Sequence, residues 1–75
     1  MTHAWTGRTA YALVERARAA GWKDGAILDA LAVSESTVRM WAARPKTYPR
    51  MVTRARLLDV ANRLDRAERR KGDKS

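Results

Sequence analysis

The sequence predicts an all-α fold: a compact bundle of four helices forming a single domain. Three observations carry this. Apolar residues recur at helical spacing in four separate stretches, no stretch alternates with the period of a strand, and residues that start or stop helices bound each one. The chain has 75 residues, enough for one domain at most. A domain this small buries only about 60% of the surface its unfolded chain exposes. There is no cysteine and one histidine, His3, so neither a disulfide nor a structural zinc site can add stability. Association with a partner is the support that remains.

Taken in order, residues 1 to 6 read as an N-terminal arm, with His3 on the surface. Trp5 and Tyr11 are expected to cover an end of the core or to anchor a partner chain, core being the commoner fate of a tryptophan in so small a chain. Thr6 has the chemistry of an N-cap for a first helix, roughly Gly7 to Ala20. Ala10, Leu13, Val14 and Ala17 form its apolar stripe at i, i+3, i+4 and i+7. Arg8, Arg16 and Arg18 then face water. Gly21 fits the left-handed residue after a helix end, which lets Trp22 pack back on Ala17. A second helix, roughly Asp24 to Leu31, puts Ile27, Leu28 and Leu31 on one face. Ala32 and Val33 carry the chain round a corner. Ser34 then suits the N-cap of a third helix, about Glu35 to Ala43, its hydroxyl accepting from the N–H of Ser36 or Thr37. Val38 and Trp41 turn inward, three apart. Two prolines break the pattern over Arg44 to Val52. A last helix starts at Pro49, which suits a first turn, or after Thr53 as an N-cap. Leu57, Val60, Ala61 and Leu64 are its apolar stripe. Past Leu64 only Ala67 is apolar, so the helix should fray near Arg70 and leave about 70–75 as a flexible basic tail. The predicted core is built on Leu13, Leu28, Leu31, Val38, Trp41, Leu57 and Leu64.

Net charge is +8, and it is one-sided. Residues 1–37 hold four basic and four acidic side chains; residues 38–75 hold twelve basic and four acidic, so the whole excess lies in the second half. Such a field points to a polyanion. No apolar run approaches the roughly 20 residues of a membrane span, and MTHAWTGR lacks a signal-peptide core, which predicts a cytoplasmic protein, nucleoid-associated if the polyanion is DNA. Met1 reads as a native start. An enzyme needs converging reactive groups. The single histidine sits in an arm, Ser34 and Ser36 have no base partner, and no glycine-rich phosphate loop occurs, so no catalytic residue, metal, cofactor or small-molecule ligand is expected.

The third helix presents Glu35, Ser36, Arg39, Met40 and Ala43 outward. This face is short and rich in hydrogen-bonding groups. It suits the major groove of a duplex, where base edges differ in their donors and acceptors.

The stretch LAVSESTVRMW resembles the helix-turn-helix of the lambda-repressor and Cro-like DNA-binding family. Leu31, Val33, Ser34, Thr37, Val38 and Trp41 stand at the positions of that family's leucine, turn valine–serine, small polar residue and two buried residues. The resemblance extends to Ala20–Trp22 and to the LLDVANRL run, Leu57 to Leu64. It implies a bundle containing a helix-turn-helix. There are three departures. Ala32 replaces the usual glycine, so the turn holds a non-glycine residue, with strain if φ is positive. Leu28 replaces a small residue where the helices cross. Asp24 replaces a glutamine that commonly meets a phosphate.

The resemblance implies sequence-specific binding of double-stranded DNA by a small phage- or prophage-type repressor. Glu35, Ser36, Arg39, Met40 and Ala43 would read bases. Lys23, Ser34, Thr37, Arg44, Lys46, Thr47, Tyr48, Arg50 and Arg54 would contact phosphates, the loop lying along the backbone. An excisionase-like or MerR-like DNA-binding protein is an alternative, although Arg44 to Met51 is short for the β-wing those carry. An antitoxin-type protein-binding module is an alternative of another class. A weak homodimer on a two-fold operator is expected, with Trp5, Leu58 and Met51 as the apolar residues left over for its interface.

Overall fold

In the computed structural model, which describes residues 5–73, the chain folds as four helices: α1 (Gly7–Ala19), α2 (Asp24–Leu31), α3 (Glu35–Ala43) and α4 (Met51–Asp73). No strand occurs among the described residues. His3 and most of the expected arm lie outside them, as do residues 74 and 75 of the expected tail.

Local chemistry sets the boundaries. At the start of α1, Thr6 accepts from the Thr9 N–H at 3.3 Å, and Thr9 Oγ1 accepts from the Thr6 N–H at 2.8 Å. This reciprocal box satisfies two backbone donors. At its end Gly21 takes φ +98°. The N–H groups of Gly21 and Trp22 then close onto the carbonyls of Arg18 and Ala17, each at 3.0 Å. Such a left-handed closure favours glycine, which has no Cβ to clash. The same closure ends α2, but on an alanine. Ala32 sits at φ 55°, ψ 44°, with its N–H on Asp29 and that of Val33 on Leu28. An L-residue pays about 1–2 kcal/mol there. The tight corner between α2 and α3 is therefore made at a measurable cost.

Eleven residues form the core: Ala10, Leu13, Val14 and Ala17 of α1; Ile27 and Leu31 of α2; Val38 and Trp41 of α3; Leu57, Val60 and Leu64 of α4. Trp41 is the largest fully buried side chain. Burying an aromatic of its size is worth on the order of 4–6 kcal/mol before entropy is counted. That makes Trp41 the main anchor of α3. Leu28 packs against this cluster from a half-buried position rather than inside it. The broadest helix contacts join α1 to α3 and α2 to α4.

Two expectations change. The last helix begins at Met51, with the Arg54 N–H bonded to the Arg50 carbonyl at 2.9 Å. Neither Pro49 nor Thr53 starts it: Pro49 is buried in the preceding loop, and Thr53 is already helical. The helix also continues to Asp73 instead of ending near Arg70. Arg16 explains part of this. Its Nη2 lies 2.6 Å from Asp65 and 2.9 Å from Glu68, which ties the turn after Leu64 to α1, and the Ala, Glu, Arg and Lys that follow are strong helix formers. Within the arm expected over residues 1–6, Trp5 takes the core-covering place expected of a tryptophan in so small a chain. It is half-buried and packs on the core, while Thr6 is the cap of α1.

Candidate nucleic-acid interface

The outward face of α3 is held from three sides. Val38 and Trp41 pin it to the core. Ser34 caps its N-terminus, with the Thr37 N–H 3.3 Å from Ser34 Oγ, and Ser34 Oγ also lies 3.3 Å from Thr37 Oγ1. The third hold is at the far end, and no local signal in the sequence marks it. The N–H groups of Gly7 and Arg8 donate to the carbonyls of Thr47 (2.6 Å) and Pro45 (3.1 Å). The first turn of a helix has N–H groups without internal partners; here two of them bind the loop that follows α3. Gly7 permits this approach. A Cβ on it would lie 2.6 Å from the Arg44 carbonyl oxygen. The start of α1, the end of α3 and the loop at 44–50 therefore form one joined unit.

All five expected base-reading residues, Glu35, Ser36, Arg39, Met40 and Ala43, are exposed on α3. Met40 is 39% exposed and closes the apolar side of the face. The Arg39 guanidinium lies 3.7 Å from Glu35, with side chains 81% and 70% exposed. An exposed i, i+4 pair of this kind contributes about 0.3–0.5 kcal/mol, too little to hold Arg39 back from a better partner.

The expected phosphate-contacting residues divide into two groups and an outlier. Ser34, Thr37, Tyr48 and Arg50 line one cleft of about 430 Å³ together with Met40, Trp41, Pro49 and Thr53. Here the corner before α3, α3 itself, the loop and the start of α4 meet. Tyr48 is 73% exposed, so its hydroxyl faces solvent, while the buried Trp41 shares the cleft's floor. Arg54 follows one turn into α4. Arg44, Lys46 and Thr47 form the second group, on the loop segment bound to α1. Lys23 stands apart from both: it is exposed at the N-cap position of α2 and makes no side-chain cap. Among the described residues no carboxylate lies within ion-pair distance of Arg44, Lys46, Arg50 or Arg54.

Asp24, the carboxylate that would repel a phosphate, is engaged. Arg18 Nε donates to it at 2.9 Å, and Arg18 Nη1 donates to Glu15 at 3.2 Å. Hydrogen bonding to Asp24 raises the Arg18 pKa further above its ordinary value. Glu15 in turn raises the Tyr11 phenol, by hydrogen bonding first and charge second. Arg16 and Arg18 thus do not simply face water, as their positions on α1 predict; they tie helices together. Arg8 does remain exposed, but beside the loop. No group of acidic, histidine or cysteine side chains able to hold a metal occurs among the described residues, and no described helix is long and apolar enough to cross a membrane.

No known protein family, curated protein or solved structure matches this chain.

Proposed function

We propose that the protein binds double-stranded DNA sequence-specifically, as a small transcriptional repressor of the Cro-like type, with α2 and α3 as its helix-turn-helix. One observation carries the reading. A short, rigidly anchored helix exposes only small, polar or charged groups besides Met40, and the chain beside it carries cations that no carboxylate pairs among the described residues. Base edges in a major groove demand donors and acceptors, and the flanking phosphates demand unpaired cations. Arg39 supplies the fork that matches O6 and N7 of guanine. Glu35 accepts from a cytosine amino group or favours the helix N-terminus through its dipole. Ser34, Thr37, Tyr48 and Arg50 hold the phosphate on one side of the helix; Arg44, Lys46 and Thr47 hold it on the other. The loop at 44–50 contains no strand, which weighs against a winged, excisionase-like or MerR-like reader.

A single recognition helix covers too few base pairs for useful specificity. The reading therefore includes a weak homodimer on a two-fold site, its half-sites about 34 Å apart. Trp5 and Leu58 line one cleft with Ala61 and Asn62, and Leu58 is 52% exposed. The charges that line this cleft are Arg16 and its partner Asp65, with Glu68 on the same guanidinium, so two copies can approach there without the repulsion expected elsewhere on α4. Met51, although 75% exposed, does not line that cleft.

Selection of binding sites from random duplexes, followed by titration of a selected and a random duplex at two salt concentrations, tests the reading. An enriched sequence, bound more tightly than random DNA and with strong salt dependence, is expected. Equal affinity for all duplexes refutes sequence-specific binding, and no duplex binding at all favours a protein-binding module. Sedimentation of the free protein and of its complex should give a monomer and a two-to-one assembly; one protomer on an asymmetric site at saturation would refute the dimer alone.

A further inference from the structure

The loop's cations have a neighbour that sequence order hides. Arg8 lies thirty-six residues before Arg44, on the far side of α2 and α3 in the chain. Yet its backbone N–H is 3.1 Å from the Pro45 carbonyl, between Arg44 and Lys46. The Gly7 N–H bond to Thr47, at 2.6 Å, fixes the same crossing from one residue away. All three side chains are exposed, and each is long enough to reach a common anion from backbones this close. Among the described residues none of the three has a carboxylate partner. By contrast, Arg16 and Arg18 on the same helix are both paired.

We infer that Arg8, Arg44 and Lys46 form one composite site at the C-terminal end of α3 for a single phosphodiester of the bound duplex. The inference rests on the DNA-binding reading and extends it to α1. The physical case is the pairing pattern. Three like charges gathered on a backbone held by two inter-element hydrogen bonds repel one another in the free protein. An anion seated among them relieves that repulsion and is attracted by all three. Arg8 contributes a planar donor fork that suits two phosphate oxygens, and Lys46 a compact charge. Because α1 and the loop are bound to each other, the site is preorganised: closing on the phosphate orders side chains but no backbone. A site of this kind adds affinity for any sequence and fixes how α3 lies in the groove.

The test compares the intact protein with Arg8→Ala and with Arg63→Ala, which removes the same charge from the middle of α4, where Arg63 is paired with Asp59. Dissociation constants for a 20-base-pair duplex of mixed sequence are measured across a salt series. Each phosphate contact contributes about 0.9 to the slope of log K against log salt. Because Arg44 and Lys46 still face the same phosphate, Arg8→Ala should lower that slope by a fraction of one such contact and weaken binding several-fold, to the same degree on selected and random duplexes. Its melting temperature should be unchanged or higher, since repulsion is relieved. Arg63→Ala should leave the slope nearly unaltered. An unaltered slope for Arg8→Ala, or equal changes in both variants, overturns the inference while leaving DNA binding intact. An intact protein that shows no salt-dependent duplex binding overturns the DNA-binding reading itself.

Discussion

Replacing Gly7 with alanine is the sharpest probe of how the interface is held. At a helical position this change ordinarily stabilises, by up to about 1 kcal/mol. Here the added Cβ would lie 2.6 Å from the Arg44 carbonyl oxygen, 3.1 Å from that of Trp41 and 3.2 Å from the Trp41 Cα. Ordinary contact begins at 3.4 Å, so α1 must retreat from α3 by about 0.8 Å. The obstacle is backbone, which cannot rotate away as a side chain can. Retreat stretches the Gly7–Thr47 and Arg8–Pro45 hydrogen bonds, each worth about 0.5–1.5 kcal/mol, and overpacking costs about 1–3 kcal/mol. After the helix gain, a net loss of about 2 kcal/mol is expected, or roughly 8–16 °C in melting temperature. Gly25 is the control. It is exposed in α2, and nothing lies within 4 Å of a Cβ built on it. Gly25→Ala should therefore stabilise, by up to about 1 kcal/mol. Thermal melts followed by circular dichroism at 222 nm compare the two. A Gly7→Ala protein as stable as the parent would refute the close approach of α1 to the end of α3, and with it the shared loop.

Three further substitutions test separate parts of the argument. Trp41→Ala should cost about 3–5 kcal/mol in a denaturant or thermal melt, because the side chain is fully buried between α3 and the rest of the core; a melt left unchanged would mean that another contact anchors α3. Ala32→Gly should raise stability by about 0.5–1 kcal/mol, since relief of the left-handed strain exceeds the entropy glycine adds to the unfolded chain; a lower melting temperature would contradict strain at φ 55°. Arg39→Ala should cost about 1–3 kcal/mol on a selected duplex and little on random DNA, and equal losses on both would move Arg39 among the phosphate contacts.

The helices were legible because their signals are local. Thr6 and Ser34 cap, Gly21 stops, and the apolar stripes repeat at helical spacing, so α1, α2 and α3 fall within a residue of their expected bounds. Even the strained corner at Ala32 was readable, as the one place where a glycine was wanted and an alanine stood. The outward face of α3 followed from its buried face by rotation. What could not be read are the pairings made across the chain. Nothing near Arg16 in sequence indicates Asp65 and Glu68, and the expected end of α4 near Arg70 falls short of the observed end at Asp73. Arg18 and Asp24 are six residues apart, but the intervening helix end hides the turn that joins them. The largest omission is Gly7 with Arg8. A glycine opening a helix has many innocent explanations, and only the fold brings it against the carbonyl of residue 44. Pro49 shows the opposite error: its fitness for a first helical turn was real, but burial in the cleft beside Trp41 outweighed it.

The distribution of charge acquires a different meaning once these pairings are known. By sequence, the first half of the chain is neutral and the second half carries the +8. In the fold, the division is between paired and unpaired cations rather than between halves. Arg16, Arg18 and Arg63 each meet a carboxylate within 3.2 Å, and these three lie on α1 and α4. The cations from Arg44 to Arg54 meet none among the described residues, and Arg39 meets only a distant one at 3.7 Å. Asp24, Asp65 and Glu68 join helices, Glu15 and Asp59 pair within their own, and Glu35 is the carboxylate on the outward face of α3. A domain selected only for stability would place carboxylates among the cations from Arg44 to Arg54, because unrelieved repulsion works against a core of eleven residues in a chain too small to bury much more. The arrangement is favourable overall only if something removes the repulsion in use. A polyanion does so, and by mass action its binding also stabilises the folded state. The surface that costs this domain stability when free is, on the DNA-binding reading, the surface through which its ligand restores it.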